Sequence, residues 1–385
     1  MSTSRPEAAG GGVAEPGAPI PRSPFRAVRA EPTALRSVGT RLLAGLFALL
    51  FAAVPIAVAG ANVPEAYALL LKGAAGSAFA VSETLTRAAP LLLTGLAAAI
   101  AFRAKLWNIG GEGQLYAGAL TTAWLGTGLV TLPAPLMIPF VCLSGALAGA
   151  LLMAVPTLLK TRFGADEVVT TLLLNFVVVL FVQMMLEGAL KDPLGMGWPQ
   201  SAAVIEEAEL PGIWPRTRLH AGLLIGVAAA LALAFVVKRT TFGFRLRAVG
   251  ENAAAARYAG ISVLGTMLKV GLLSGGLAGL AGVGEVAGLK GYLTTDISSG
   301  FGYTGIVVAM LAGLSPLGCV FAAVFIAGVG VGADSMSRGL GVSSYLADLI
   351  VATSLLAILV GEVFARYRIE RWPMPAREAR GAPAE

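Results

Sequence analysis

The sequence predicts an all-α, polytopic integral membrane protein. Three observations carry that prediction. The chain is 56% hydrophobic and only 13% charged, against roughly 25% charged for a soluble domain. Its mean hydropathy is +0.79, and apolar runs approaching the ~20 residues needed to cross a bilayer recur along it. Its 49 glycines suit helices that approach one another closely in lipid.

Residues 1–41 are rich in Pro, Ala and Gly and hold six arginines. Without an apolar core they do not read as a signal peptide; they read as a disordered basic cytoplasmic tail. Apolar segments follow near 42–60, 86–102, 113–130, 134–158, 168–187, 219–238, 265–288, 302–314, 316–333 and 345–364. These give about ten transmembrane helices in a membrane domain over 42–366, followed by a C-terminal cytoplasmic tail, 367–385. The eighth segment, punctuated by the glycines around 300–305 and by Pro316, is short enough to be a half-helix or re-entrant piece.

Orientation follows from the cations. With both termini cytoplasmic, the inner loops and tails hold twenty Lys and Arg and the outer loops seven, as the positive-inside rule requires. That rule also accounts for the net charge of +6 and pI near 9.5. No basic patch is interleaved with aromatics, so nucleic acid is not a predicted partner, and membrane lipid is.

Two loops stand out. Residues 188–218 form an external loop with Trp198, Trp214 and several prolines, long enough to be a connector or a small docking surface. Residues 239–264 form an inner loop whose centre, Glu251 to Tyr258, is a strong helix former ended by Gly260.

The chemistry of catalysis is missing. There is no Gly-x4-Gly-Lys-Ser/Thr phosphate loop, no Gly-x-Ser-x-Gly elbow and no His-Glu-x-x-His motif. Cys142 and Cys319 lie in apolar stretches and His220 is the sole histidine, so no metal-ligand spacing exists. We predict no catalytic residue, no metal and no cofactor on this chain.

What remains is a set of polar residues in apolar surroundings, where each must be either satisfied internally or functional. Asn108, Glu112 and Gln114 sit among glycines where the second and third segments meet; they either form an interfacial polar turn or gate a polar pathway. Asp166 and Glu167 suit the N-terminus of the fifth segment, while Thr171 and Asn175 share one helical face a turn deeper. Glu285 lies among glycines near the outer end of the seventh segment. Tyr303 lies before the eighth, as a belt aromatic or as a face for a planar ligand. On these residues alone, an ion-coupled carrier using Glu112 and Glu285 is an alternative to a subunit of a larger transporter.

Four blocks narrow the choice: Leu106-Trp-Asn-Ile-Gly-Gly-Glu-Gly-Gln114; Asp166 to Asn175; Arg247 to Ile261; and Gly302-Tyr-Thr-Gly to Leu311, followed by Ser315-Pro-Leu-Gly318. In these blocks the chain resembles permease subunits of bacterial ABC importers of the branched-chain amino acid/simple-sugar superfamily, and within it the nucleoside-type branch. Trp107 and Ala253 depart from that pattern, where Phe and Pro are usual. The resemblance implies an importer subunit of the bacterial plasma membrane that moves a nucleoside, purine by preference, or a simple sugar. It implies a separate ATPase that binds ATP and Mg, a second permease (a homologue, or an identical copy) and an extracytoplasmic solute-binding lipoprotein. It also gives the 239–264 loop a purpose as the helix that docks on the ATPase, through Arg247, Glu251, Asn252, Arg257, Tyr258 and Gly260.

Overall fold

The computed structural model describes residues 50–343, parts of 345–360, and the backbone of 25–29 and 367–371. The last two segments, β1 (Phe25–Arg29) and β2 (Tyr367–Arg371), pair antiparallel with Phe25 opposite Arg371; apart from this short pairing the named elements are helical, as expected. Both strands are built from residues that favour extended backbone, such as Phe25, Val28, Tyr367 and Ile369. The remainder of the two tails lies outside the described residues.

Twelve helices can be followed among the described residues. α1 (Leu50–Val58) and α2 (Val63–Ala75) meet at a bend of 113°, turned by Gly60 at φ +76°. Asn62 then caps α2 by accepting from the Glu65 N–H. After α2 come α3 (Ala78–Arg103), α4 (Gly111–Gly126), α5 (Ala134–Leu158) and α6 (Glu167–Glu187). A long irregular loop leads to α7 (Gly222–Arg239), the short pair α8 (Thr241–Glu251) and α9 (Ala253–Tyr258), and α10 (Val263–Val283). α10 continues as a π turn, Gly284–Lys290, stopped by Gly291 at φ +77°. α11 (Phe301–Leu311) and α12 (Pro316–Leu340) complete the bundle.

The predicted count of about ten spans is not reached among the described residues. Among the described residues six helices are long and apolar enough to cross a membrane, or seven if α1 and α2 form one bent span. The third and eighth predicted segments are helical, but α4 has 16 residues and α11 has 11, about 24 and 16 Å of rise against a hydrocarbon core of about 30 Å. The tenth predicted segment lies largely outside the described residues. α2, which the sequence reading left in an outer loop, is a helix whose short apolar run is broken by Glu65 and Lys72.

α3 is the central post, with 89% of its most apolar stretch buried. α5 and α6 are peripheral and turn Leu143, Leu147, Leu173 and Phe176 outward. α10 packs on α5 and α4 through glycines. A Cβ on Gly279 would fall on the Gly145 carbonyl oxygen of α5, and one on Gly282 would fall on the Leu115 carbonyl oxygen of α4. Only the missing side chains let these backbones approach so closely.

Candidate functional site

The two short helices explain the polar motif. Thr94 Oγ1 of α3 donates to the Phe301 carbonyl at the start of α11 (3.0 Å), and Arg103 Nε at the end of α3 donates to the Leu314 carbonyl just beyond α11 (2.8 Å). α11 therefore lies along the last third of α3, and its N-terminus is set about 14 Å in from that end. α4 begins at the same depth, because the 104–110 loop turns back into the bundle before the helix starts. Two helix N-termini, each with unpaired N–H groups and a partial positive charge, thus meet inside the protein.

Side chains from neighbouring helices satisfy them. Glu112 Oε2 accepts from the Gly302 N–H at 2.7 Å and so caps α11. Asn175 of α6 reciprocates for α4: its Oδ1 accepts from the Gly113 N–H at 2.8 Å, while its Nδ2 donates to the Ile109 carbonyl and to Tyr303 Oη. Beside them Asn108 forms a knot. Its Oδ1 accepts from Gln114 Nε2 and the Gly110 N–H, and its Nδ2 donates to Gln114 Oε1 and Ser274 Oγ, all at 2.9 Å. Ser274 passes the chain on to the Ala97 carbonyl of α3 at 2.7 Å.

Five of the predicted pathway residues, Asn108, Glu112, Gln114, Asn175 and Tyr303, thus gather where the two N-termini meet. All but Tyr303 are buried, Gln114 at 1% exposure. Tyr303, 40% exposed, accepts from Asn175 through its Oη. Thr171 is buried but bonds back to the Glu167 carbonyl of its own helix. Asp166 caps α6, accepting from the Val168 N–H at 2.8 Å. Glu167 pairs with Lys160 and accepts from the Trp107 N–H, so it anchors the turn that carries the motif.

Glu285 stands apart. It lines a cavity of about 800 Å³ at the opposite end of α3 from the 104–110 loop, between α2, α3, the π turn, the 291–300 loop and α12. The wall is charged. Arg87 pairs with Asp334 at 2.6 Å, Lys290 with Asp296 at 3.3 Å, and Arg218 with Glu83. The Thr294 hydroxyl, aided by Lys290, holds Asp296 below the usual carboxylate range. The hydrogen bond to Glu83 raises Arg218. Sequence reasoning missed this cavity. Its one local signal was a pair of opposite charges, Arg87 and Asp334, inside apolar segments; nothing in the sequence joins residues so far apart.

The 188–218 loop is mostly not free. It runs back across the ends of α4 and α10, with Ser201 bonded to Leu293, Val204 to Gly291, Ile205 to Gly126 and Leu210 to Ala287. Its tip, with Leu194, Met196 and Trp198, is exposed, and so is the 211–216 stretch with Ile213 and Trp214. His220 closes the loop: its Nδ1 accepts from the Gly222 N–H, and its ring packs against Gly284 and Gly288 of the π turn.

At the other end, α8 and α9 are two helices where one was expected. Asn252 breaks the helix at φ −152° and caps α9 by accepting from the Ala255 N–H. Gly260, at φ +78°, ends the unit. Glu251, Asn252, Arg257 and Tyr258 are exposed, Tyr258 at 96%. Arg247 instead reaches the Val237 carbonyl at the end of α7. Lys105 Nζ contacts the Glu251 carbonyl, so the unit rests on the same loop that carries Asn108.

With this geometry in view, the comparisons with known proteins become informative. Residues 80–361 match the family described as branched-chain amino acid transport system, permease component. The glucose ABC transporter permease protein TsgB13 of Haloferax volcanii is 36% identical over 86% of this chain and 89% of its own length. The guanosine ABC transporter permease protein NupP of Bacillus subtilis is 35% identical over 82% of this chain and 91% of its own. A second guanosine permease protein of Bacillus subtilis, NupQ, is 28% identical over 64% of this chain and 78% of its own.

Proposed function

We infer the role of this chain from the family to which it belongs, the permease components of branched-chain amino acid transport systems: it is the membrane-spanning permease subunit of an ATP-binding cassette importer. The single observation that carries this reading is its 35–36% identity to guanosine and glucose ABC permeases over most of each chain. The solute is a small polar molecule built on a sugar ring, a purine nucleoside by preference and a simple sugar otherwise. Guanosine and glucose, named for two of the relatives, each carry a sugar ring with adjacent hydroxyls, a ribofuranose in one and a pyranose in the other.

The geometry supports the reading in three ways. The charged cavity and the exposed α8–α9 unit lie toward opposite ends of α3, whose 26 residues rise about 39 Å. The α8–α9 unit is the docking element for a separate ATPase, which holds ATP and Mg. It rests through Lys105 on the loop that starts α4, so ATPase closure reaches the cluster of Asn108, Glu112, Gln114, Asn175 and Tyr303 through a direct contact. Alternating access is then a two-state equilibrium of the bundle that the ATPase biases.

A second permease subunit completes the pathway. The two distinct guanosine permease proteins of one Bacillus favour a homologous partner over an identical copy. A solute-binding lipoprotein delivers solute at the cavity end. Both termini and α8–α9 face the cytoplasm, and the chain resides in the bacterial plasma membrane. The test is competitive uptake by the reconstituted four-component assembly. Labelled guanosine should enter and be displaced by excess unlabelled nucleoside; entry of neither guanosine nor glucose overturns the solute class.

A further inference from the structure

We propose that the cavity at the far end of α3 is a solute-binding site of the permease itself, in which Glu285 accepts hydrogen bonds from two neighbouring hydroxyls of a sugar ring. The proposal rests on the reading of the chain as an importer of a sugar-bearing solute, and it adds the site and the residue that recognise it.

The starting point is an imbalance. Three of the cations on the cavity wall have a carboxylate partner: Arg87 has Asp334, Lys290 has Asp296 and Arg218 has Glu83; Lys72 and Arg338 line it as well. Glu285 is the carboxyl group left over. It is 2% exposed and has no ion pair or hydrogen bond among the described residues, yet it lines the cavity. A carboxyl group with this little access to water is costly unless a donor reaches it. Its position on the π turn adds to the case, since π turns within helices recur at functional sites.

The surroundings select the donor. Arg87 and Lys290 stand on the same wall as Glu285, which disfavours a small cation beside it. A neutral solute with paired hydroxyls suits this carboxyl group, because its two oxygens match two adjacent hydroxyls. The volume of about 800 Å³ lies within the range of roughly 300–1,000 Å³ usual for small-molecule sites. Phe79 and Phe301 line the same space and offer aromatic faces to a sugar or a base.

The experiment uses the full assembly in proteoliposomes with ATP inside, and compares guanosine with 2′,3′-dideoxyguanosine, which lacks both ribose hydroxyls. The wild-type assembly should import guanosine with at least about tenfold higher uptake efficiency, the range expected when two hydrogen bonds are lost together. Glu285→Ala should shrink that preference to about threefold or less by slowing guanosine alone. Glu285→Gln, which keeps shape and one acceptor, should fall between. The lipoprotein is common to all three assemblies, so the change between them belongs to the permease. If Glu285→Ala does not assemble, the Gln comparison decides the matter. An unchanged preference in the variants overturns the proposal while leaving the importer reading intact. A sodium requirement that disappears in Glu285→Gln also overturns it, since Glu285 then holds a cation. Import of neither guanosine nor glucose by the wild type overturns the solute class and this site with it.

Discussion

Replacing Asn108 by alanine removes the centre of the buried knot. Four hydrogen bonds go with it, to Gln114 twice, to Ser274 and from Gly110. Ser274 keeps the Ala97 carbonyl and Gln114 Nε2 keeps Met153 Sδ. Gln114 Oε1 and the Gly110 N–H are left with no other partner among the described residues. A hydrogen bond between helices in lipid averages only about 0.6 kcal/mol, which sets a lower bound of about 2 kcal/mol for the four. An orphaned buried donor or acceptor costs about 1–3 kcal/mol each, which raises the expected loss to about 2–5 kcal/mol. In a chain of this size that corresponds to a fall in Tm of roughly 4–10 °C, measured on the purified protein in detergent. The double variant Asn108→Ala/Gln114→Ala should fall little below the worse single variant, because both remove the same bonds. An Asn108→Ala protein that melts within 1–2 °C of wild type, or strict additivity in the double variant, would refute the knot as a stabilising element.

Three further outcomes follow from the geometry. Gly279→Ala sets a Cβ against the Gly145 carbonyl of α5 and should lower stability by about 1–3 kcal/mol, whereas Gly276→Ala, whose nearest foreign atom would be 3.4 Å away, should be tolerated; equal melting temperatures would contradict the close α5–α10 contact. Charge reversal of Arg247 and Arg257 should uncouple the ATPase while leaving membrane insertion intact, and Arg257→Glu with Tyr258→Ala is the cleaner pair, since Arg247 also holds the end of α7; unchanged co-purification of an ATPase would count against docking there. Burial pushes the His220 imidazole down to about 4, below its usual value of about 6.5, so the unfolded chain binds its proton first and stability is lost as pH falls from about 6.5 toward 4; His220→Asn, which keeps an acceptor for the Gly222 N–H, should lose less Tm than wild type between pH 7.5 and 5.

The membrane class, the positions of most helices and the polar motifs were legible in the sequence because each is a local pattern. Asp166 as a cap for α6 and Gly260 as the stop of α9 could be read from residue type and spacing alone. The half-helices could not. Gly111–Gly126 and Phe301–Leu311 are as apolar as spanning helices, and only the meeting of their N-termini at Glu112 and Asn175 shows that neither crosses by itself. The contact of Tyr303 with Asn175 was illegible for the same reason, since it depends on the turn at 291–300 that starts α11 beside α4. The cavity was illegible because its ion pairs join α3 to α12 and the 188–218 loop to α3, contacts set by packing rather than by any run of residues. Glu285 was noticed, but its isolation becomes visible only once the carboxylates around it are seen to be paired.

The most direct test of the account is its energy source. The chain should be reconstituted with its ATPase, second permease and lipoprotein, and labelled guanosine uptake followed with ATP inside the vesicles and no ion gradient. The account predicts uptake that needs ATP hydrolysis and stops when the ATPase is inactivated. Uptake by the chain alone, driven by a sodium or proton gradient without ATP, would contradict it.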